Sequence, residues 1–276
     1  MDCSLRSVIQ EPGIVSFCVL ASGSSGNAAL LATNNTRILL DAGLSLRELN
    51  RRLALAGEEI GRLDAVLITH EHSDHIAGLA ALVRRKEFRA PVYMTRLTAP
   101  VIDWGESQSS KKAPRIETFQ AGASFEIGDI EVNSFSVPHD AADPVGFCLE
   151  ANGIRVAVAT DLGYMPESVK YHLRRADLLL LEANHDLDML KVGPYPWSVK
   201  QRVMSRVGHL SNLVMAEYLA QEFSDRAQNL VLGHISEQNN HPEIVRDLAT
   251  EALDGRGLRT RLTIARQHEP TEIFQF

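Results

Sequence analysis

The sequence has few cysteines, few aromatic residues and no excess of positive charge. Its three cysteines, Cys3, Cys18 and Cys148, are odd in number and widely spaced, and no CxxC pair indicates a zinc knuckle or a redox motif. We therefore expect a reducing compartment. The formal net charge of -7 argues against a protein coated with cations for polyanions, although it allows a local basic patch.

Long apolar runs are also missing. No stretch approaches the roughly 20 apolar residues that span a bilayer. The N-terminus lacks a basic region followed by an apolar run and a cleavage site. These absences predict a cytoplasmic protein without membrane insertion. No low-complexity linker interrupts the chain, so we expect one domain over residues 1–276.

What the chain does contain is a regular alternation of short apolar runs and helical spacings. The runs predict strands at 14–20, 28–32, 37–40, 64–69, 92–94, 115–119, 123–127, 130–137, 145–151, 154–160, 177–182, 228–232 and 258–264. Apolar periodicity predicts helices at 46–57, 76–86, 166–175, 198–206, 212–224 and 242–253. This order predicts an α/β (α+β) fold in which two sheets are sandwiched between helices.

A dense group of metal-ligand residues follows the predicted strand 64–69. His70 and His72 are two residues apart, so an extended backbone directs both to one side. Asp74 and His75 come next, where the chain turns into a helix. Imidazole and carboxylate are the ligands that zinc, manganese and iron accept. The segment therefore predicts a metal site at a strand end; a solvated polar loop is the alternative, and it explains one or two such residues better than four.

The letters THEHSDH at 69–75 resemble the signature motif of the metallo-β-lactamase superfamily. The resemblance implies a four-layer αββα sandwich of two mixed sheets flanked by helices. It also implies two divalent metal ions, zinc or manganese with iron not excluded, and a metal-activated hydroxide as the nucleophile. The implied ligands are His70, His72 and His139 for one metal, Asp74, His75 and His234 for the other, and Asp161 as the bridge.

The resemblance also implies that Asp41 lies outside the ligand set and orients one of the metal ligands. Taken singly, three of these residues have ordinary alternatives. His139 after Pro138 also fits a turn, Asp161 also fits a helix cap, and Asp41 before Ala-Gly also fits turn chemistry. Their shared order and their setting at the ends of apolar runs favour the metal site.

The reaction class is indicated by the residues around this set. His75 directly after Asp74 resembles glyoxalase II, the lactonases and the nuclease branch rather than the β-lactam hydrolases. The segments LLLLEANHD at 178–186 and GHLSN at 208–212 look like the ribonuclease Z arrangement. That resemblance implies His209 as the general acid and Glu182 as its orienting partner. An alternative for His209 is to cap the helix that starts near Ser211.

Asp74, His209 and Glu182 are accordingly the implied catalytic residues. The blocks SGSSGN, DAGLSLREL, LEANHD, GHLSN and GHISEQNNHPE resemble the bacterial YycJ or WalJ group over nearly the full chain. This implies a DNA nuclease with 5′ to 3′ exonuclease activity and a link to DNA repair. The step of 73 residues from Asp161 to His234 is too short for the β-CASP insertion of ribonuclease J relatives, and no added C-terminal domain is expected.

Weaker candidates concern contact with the substrate. The candidate substrate contacts are Ser24, Asn27, His185 and Ser236. As an alternative for the first two, GSSGN is a tight turn whose backbone conformation requires its glycines. As an alternative for the other two, His185 and Ser236 only form hydrogen bonds with local backbone groups. Two further functions stay open: a small-molecule ester, thioester or lactone hydrolase of the glyoxalase II or lactonase type, and a non-catalytic metal-binding regulatory partner. The oligomeric state and any obligate protein partner are left open.

A modest basic segment supports nucleic acid as the partner. Residues 189–206 hold Lys191, Lys200, Arg202 and Arg206, no acidic residue, and the aromatic residues Tyr195 and Trp197. Such a segment suits a nucleic-acid strand beside the metals. The alternative makes Trp197 a core anchor and the cations a solvated helix face. Other basic groups are expected to be plain surface: Arg84, Arg85, Lys86, Arg89, Lys111, Lys112 and Arg115.

Overall fold

Two seven-stranded sheets occupy the centre of the computed structural model, which describes residues 13–104 and 114–276. Cys3, Lys111 and Lys112 lie outside those ranges. The strands of the first sheet are β1 (Ser16–Ala21), β2 (Ala28–Ala32), β3 (Arg37–Leu40), β4 (Ala65–Leu67), β5 (Val92–Thr95) and β6 (Ile116–Phe119). The second sheet contains β7 (Ser124–Ile127), β8 (Ile130–Ser136), β9 (Val145–Ala151), β10 (Ile154–Ala159), β11 (Leu178–Glu182), β12 (Asn229–Gly233) and β13 (Arg261–Ile264). The two-residue strand β14 (Phe274–Gln275) completes the first sheet beside β1.

Both sheets are mixed in the same way. The first has the order β14-β1-β2-β3-β4-β5-β6, antiparallel up to β3 and parallel from β3 to β6. The second has the order β7-β8-β9-β10-β11-β12-β13, antiparallel up to β10 and parallel beyond it. The carboxyl ends of the parallel strands in each sheet therefore share one edge.

Helices cover the outer faces of the sheets. Their bounds are α1 (Leu46–Leu55), α2 (Ser73–Ile76), α3 (Leu79–Val83), α4 (Glu167–Leu173), α5 (Leu187–Val192), α6 (Trp197–Val203), α7 (Asn212–Gln221) and α8 (Pro242–Asp254), with 3-10 turns at Ile60–Arg62 and Ala99–Val101. Helix α1 begins as predicted, because the Ser45 hydroxyl accepts a hydrogen bond from the Glu48 amide while Leu49 and Leu53 face the core. Among the described residues, no helix combines the length and the apolar character that crossing a membrane requires.

Three buried apolar clusters separate the four layers. One lies between the sheets and includes Phe17, Leu31 and Phe147. A second packs α1 and α3 on the first sheet, and a third packs α4, α7 and α8 on the second sheet. The predicted α/β sandwich of two mixed sheets flanked by helices is confirmed. The expectation of a single domain stays a prediction.

One local expectation was wrong, and two elements were missed. The predicted helix at 76–86 is instead α2 and α3, separated at Gly78, where a Cβ atom would lie 2.0 Å from the Leu44 carbonyl oxygen. This close approach of two backbones explains the break. Helix α5 and strand β14 were not predicted, because the first lies in a short run of mixed polarity and the second is only two residues long.

Candidate metal centre and active site

The predicted site residues converge where strands of both sheets end. Each of these residues follows a strand or ends one: Asp41 follows β3, His70 follows β4, His139 follows β8, Asp161 follows β10, Glu182 ends β11 and His234 follows β12. Asp41, Asp161 and His234 have left-handed backbones, with φ of 58°, 61° and 55°. Such angles are unfavourable for residues other than glycine and persist only where the surroundings hold them. Strain of this kind is concentrated at functional sites.

Three imidazoles form the first half of the centre. The Nδ1 atom of His72 lies 3.0 Å from Nε2 of His70 and 3.2 Å from Nε2 of His139. His139 donates its Nδ1 proton to the Gly208 carbonyl at 2.9 Å, so its Nε2 presents a lone pair to the other two rings. His70 is fixed in the same way by Thr69, whose Oγ1 lies 3.0 Å from its Nδ1. Burial lowers the pKa of His70 well below its ordinary value, which keeps that ring neutral.

The second half consists of Asp74, His75 and His234. The Asp74 Oδ2 atom lies 3.2 Å from Nε2 of His234 and 3.5 Å from Nε2 of His75. On their far sides both rings meet a carboxylate: Nδ1 of His75 is 2.7 Å from Asp41 and Nδ1 of His234 is 2.9 Å from Glu182. These carboxylate–histidine pairs fix the tautomers and leave both Nε2 atoms directed at the centre.

Asp161 lies between the two halves. Its Oδ2 is 3.3 Å from Nε2 of His75, and its Oδ1 is 3.6 Å from Nε2 of His234 and 3.7 Å from Nε2 of His139. Oδ2 is buried and has no hydrogen-bond partner. A buried carboxylate oxygen without a donor is costly, and a bound cation would offset that cost.

The donor set fits divalent cations. Ligand atoms lie within 4.8 Å of one another in His70, His72 and His139, in Asp74, His75 and His234, and in His70, His75 and Asp161. Burial lowers the pKa of His75, but the facing carboxylates of Asp161 and Asp41 outweigh it and raise that pKa well above its ordinary value. Acceptor atoms that face one another in a buried space require a positive charge between them. Nitrogen and oxygen donors of this kind suit zinc, manganese or iron.

The structure places Asp41 beside His75, on the side of the ring that faces away from Asp74 and Asp161. Its carboxylate accepts hydrogen bonds from the Thr69 amide at 2.8 Å, from the Thr69 hydroxyl at 2.9 Å and from His75 at 2.7 Å. Thr69 was not singled out by the sequence analysis, although it begins the THEHSDH motif. It joins Asp41, His70 and His75 into one hydrogen-bonded group.

Glu182 and His209 are paired beside the centre. The completely buried Glu182 uses Oε1 to accept hydrogen bonds from Nδ1 of His209 at 2.7 Å and of His234 at 2.9 Å. Its Oε2 accepts from the amides of Leu162 and Leu210. Burial alone would raise the pKa of Glu182, but His209 and His234 lower it to about 2. The helix cap at α7 is Ser211, so the alternative of a capping role for His209 is wrong.

The four candidate substrate contacts occupy different settings. The side-chain nitrogen of Asn27 lies 3.2 Å from the Asp74 carboxylate. Ser24 is exposed on the turn, and among the described residues its side chain makes no hydrogen bond to the centre. Ser236 is buried and accepts hydrogen bonds from Asn239, as its local alternative expected. His185 is buried beside Glu182; its Nδ1 has no partner, and burial lowers its pKa to about 4. Their contact with a substrate stays a prediction.

Two hydrogen bonds to the backbone of His234 hold it in its left-handed conformation. The Ser22 hydroxyl accepts from the His234 amide at 2.7 Å, and the Asn184 side chain donates to its carbonyl oxygen at 2.9 Å. Sequence reasoning missed both roles. The available signals were their positions in the SGSSGN and LEANHD blocks.

Comparison with known proteins identifies relatives over most of the chain. A family model described as a beta-lactamase superfamily domain matches residues 36–235. Exodeoxyribonuclease YycJ of Bacillus anthracis is 37% identical over 243 residues, which are 87% of this chain and 90% of that protein. Exodeoxyribonuclease WalJ of Streptococcus pneumoniae is 37% identical over 233 residues, 83% of this chain and 84% of that protein. The metallo-beta-lactamase fold protein YhfI of Bacillus subtilis superposes with a TM-score of 0.70 at 18% identity, covering 93% of this chain and 99% of YhfI.

Proposed function

This chain belongs to the beta-lactamase superfamily, and from that premise we propose that it is a metal-dependent nuclease that hydrolyses phosphodiester bonds in DNA. Two relatives at 37% identity, YycJ and WalJ, are exodeoxyribonucleases by name and align along more than four fifths of their lengths. The proposal includes 5′ to 3′ polarity, a cytoplasmic location and a part in DNA repair, all three resting on the resemblance to the YycJ and WalJ group.

The metal centre supports hydrolysis by water. Two divalent cations, zinc or manganese, would lower the pKa of a water molecule and stabilise the charge that develops on the phosphate oxygens. We propose His70, His72 and His139 as ligands of one cation, Asp74, His75 and His234 as ligands of the other, and Asp161 as the bridge. Asp41 and Glu182 would hold the rings of His75 and His234 in the orientation that this binding needs.

The observation that carries the nuclease proposal is the hydrogen bond between Glu182 and His209. The carboxylate fixes Nδ1 of His209 as a donor, which leaves Nε2 as the atom that approaches a substrate. The His209 side chain is 22% exposed, whereas Glu182 is completely buried. A sugar alkoxide leaves poorly, so a proton delivered from Nε2 of His209 to the leaving oxygen would speed the cleavage. A thioester hydrolase has less need of this donor, because a thiolate leaves readily without a proton.

Substitution of the proposed acid tests the assignment. We expect His209→Ala to reduce cleavage of end-labelled DNA by roughly 100- to 10,000-fold while the metal content of the protein stays the same. Hydrolysis of bis(p-nitrophenyl) phosphate should fall much less, because p-nitrophenolate leaves without a proton. His268→Ala is the control for removal of an imidazole outside the proposed set, since that histidine is exposed and pairs with Glu237.

Two outcomes would overturn the proposal. Undiminished DNA cleavage by the His209→Ala protein would remove His209 from the mechanism. Cleavage of thioesters or lactones by the metal-loaded wild type, without cleavage of 5′- or 3′-labelled single-stranded DNA, duplex DNA or RNA, would replace the nuclease with an acyl hydrolase.

A further inference from the structure

Arg206 is an exposed cation beside the candidate site. Its guanidinium carbon lies 4.2 Å from the centre of the Tyr164 ring, a cation–π arrangement that holds the group flat against the aromatic face. Within residues 13–104 and 114–276, no carboxylate lies at ion-pair distance from Arg206. Nearby cations are neutralised, since Arg202 pairs with Asp140 and Lys191 pairs with Asp188.

The backbone places Arg206 between two loops of the site. A Cβ atom on Gly163, two residues after Asp161, would lie 2.2 Å from the Arg206 carbonyl oxygen. On the other side, the Gly208 carbonyl accepts the hydrogen bond from Nδ1 of His139, and His209 follows directly. Arg206 is therefore held by close backbone contacts near both the bridging carboxylate and the proposed acid.

An exposed tryptophan stands at the far end of the adjoining helix. Trp197 is the first residue of α6 and is 62% exposed, so the alternative interpretation of Trp197 as a core anchor is wrong. The last residue of α6, Val203, accepts a hydrogen bond from the His209 amide at 2.9 Å. At a rise of about 1.5 Å per residue, Trp197 lies roughly 9 Å along the axis from that turn.

A buried side chain on α6 contacts the neighbouring helix α5. Lys200 is buried, and its Nζ donates to the Lys191 carbonyl at the end of α5 at 2.7 Å. Lys200 is therefore not an accessible cation, contrary to the expectation from the sequence. The contact joins α6 to α5, so Trp197 is presented at the exposed start of a helix that is attached to its neighbour.

We propose that Arg206 binds a backbone phosphate of the substrate strand and that Trp197 stacks on an unpaired base of the same strand. The inference rests on the proposed nuclease function and names the residues that hold its substrate outside the metal centre. A planar guanidinium matches phosphate oxygens, and an aromatic face stacks on any base. The length of α6 from Trp197 to Val203, roughly 9 Å, corresponds to about three nucleotides at 3.4 Å per step.

Charge favours a nucleic acid over a second copy of the chain as the occupant. Of the four cations in the segment 189–206, Lys191 and Arg202 are paired with carboxylates and Lys200 is buried, so Arg206 supplies the charge that this surface presents. A twofold contact between copies places the same patch on both sides, so it would bring the unpaired Arg206 toward its own equivalent. A polyanion meets this surface with the opposite charge instead.

Binding at several salt concentrations separates the two proposed contacts. The probe is a fluorescein-labelled oligodeoxythymidylate, bound to the metal-loaded His209→Ala protein and followed by fluorescence anisotropy. We expect Trp197→Ala to weaken binding roughly 5- to 100-fold and to leave the slope of log K against log salt unchanged, whereas Trp197→Phe retains most of the affinity. Arg206→Gln should weaken binding and reduce that slope by about 1, and Arg206→Lys should preserve the slope.

Matched controls lie at the opposite edge of the second sheet. Tyr171 is 69% exposed and Arg175 is exposed, and both precede the start of β11. We expect Tyr171→Ala and Arg175→Gln to leave the affinity unchanged. In the protein with His209 intact, the circular dichroism spectrum and the bound metal of Trp197→Ala and Arg206→Gln should match those of the wild type, which shows that the variants fold.

The outcomes distinguish this inference from the function on which it rests. Unchanged affinity in both variants would overturn it. A loss of dimer on sedimentation of Trp197→Ala, with unchanged affinity for the oligonucleotide, would make the surface a contact between copies. If the wild type binds the oligonucleotide through Trp197 but cleaves no DNA with any divalent metal, the binding surface stands and the nuclease proposal fails.

Discussion

Asp41 and Asp161 occupy equivalent positions in the two sheets. Each follows the strand at which its sheet changes from antiparallel to parallel pairing, β3 or β10, and each has a left-handed backbone with φ of 58° or 61°. Their side chains differ in hydrogen bonding. The Asp41 carboxylate accepts hydrogen bonds from Thr69 and His75, whereas Oδ2 of Asp161 makes no hydrogen bond and lies 3.3 Å from Nε2 of His75. The same backbone geometry therefore holds one carboxylate that is hydrogen-bonded to Thr69 and His75 and another that has an oxygen available to a cation.

The substitution Asp161→Asn should remove the proposed bridge without altering the backbone. Asparagine tolerates the left-handed region better than most residues, so we expect the variant to fold. The neutral amide cannot balance the charge of two cations. We expect the bound metal per chain to fall and turnover of bis(p-nitrophenyl) phosphate to drop at least about 100-fold. Elemental analysis of the purified protein and a turnover assay over a range of metal concentrations measure the two effects.

Asp41→Asn is the matched variant. Because Asp41 acts through His75, its loss should weaken metal affinity by roughly 10- to 100-fold, and added metal should restore turnover. Added metal should not restore Asp161→Asn. Normal metal content and normal turnover in Asp161→Asn would refute the bridging role.

The resemblance to the metallo-β-lactamase superfamily implied these candidate residues, and each one also follows an apolar run. Asp41, His139, Asp161 and His234 come directly or within three residues after a strand, and parallel strands bring their carboxyl ends to one edge. What the sequence does not show is how each side chain is held. The contacts of Ser22 and Asn184 with the backbone of His234 join segments far apart in the chain, so no local pattern reveals them.

The wrong local expectation and the missed strand have the same origin. Ile76, Leu79 and Leu82 keep a helical apolar spacing across Gly78, yet the chain breaks there because the Leu44 backbone approaches from another segment. Strand β14 exists only through its pairing with β1, in which Phe274 is opposite Phe17. Periodicity records which face of a segment is buried, whereas breaks and edge strands depend on the partner.

His172 should make stability depend on pH away from the metal centre. Its ring stacks on Phe135 with centroids 4.7 Å apart. Burial lowers the pKa of His172 below its ordinary value of 6.5, and Arg155 lowers it further. The unfolded chain therefore binds this proton more readily, so the stabilising contribution is complete above about pH 6.5 and is lost as the pH falls through the folded value.

The variant His172→Phe keeps a ring against Phe135 and removes the titrating group. We expect the urea midpoint of chelator-treated wild type to fall more between pH 7.5 and 5.5 than the midpoint of His172→Phe. Histidines elsewhere contribute equally to both proteins, so they cancel in the comparison. Identical changes in the two midpoints would show that the folded pKa of His172 is not lowered.

Asn212 and Asn240 should be coupled in stability. Each side-chain amide donates to the other's carbonyl oxygen at 2.8 Å, and both residues are buried. The pair joins the start of α7, three residues after His209, to the segment between β12 and α8. Replacing either one with alanine leaves a buried amide without its partner, which we expect to lower the free energy of unfolding by about 1–3 kcal/mol.

The double variant separates this pairing from a general loss of packing. Once one amide is gone, removing the second deletes the unpaired group, so Asn212→Ala with Asn240→Ala should lose less than the two single variants together, by about 0.5–3 kcal/mol. Urea unfolding of all four proteins measures that difference. Simple additivity would mean that the two amides act independently. Because the pair holds the loop of His209 against the segment after His234, the single variants should also cleave DNA more slowly at unchanged metal content.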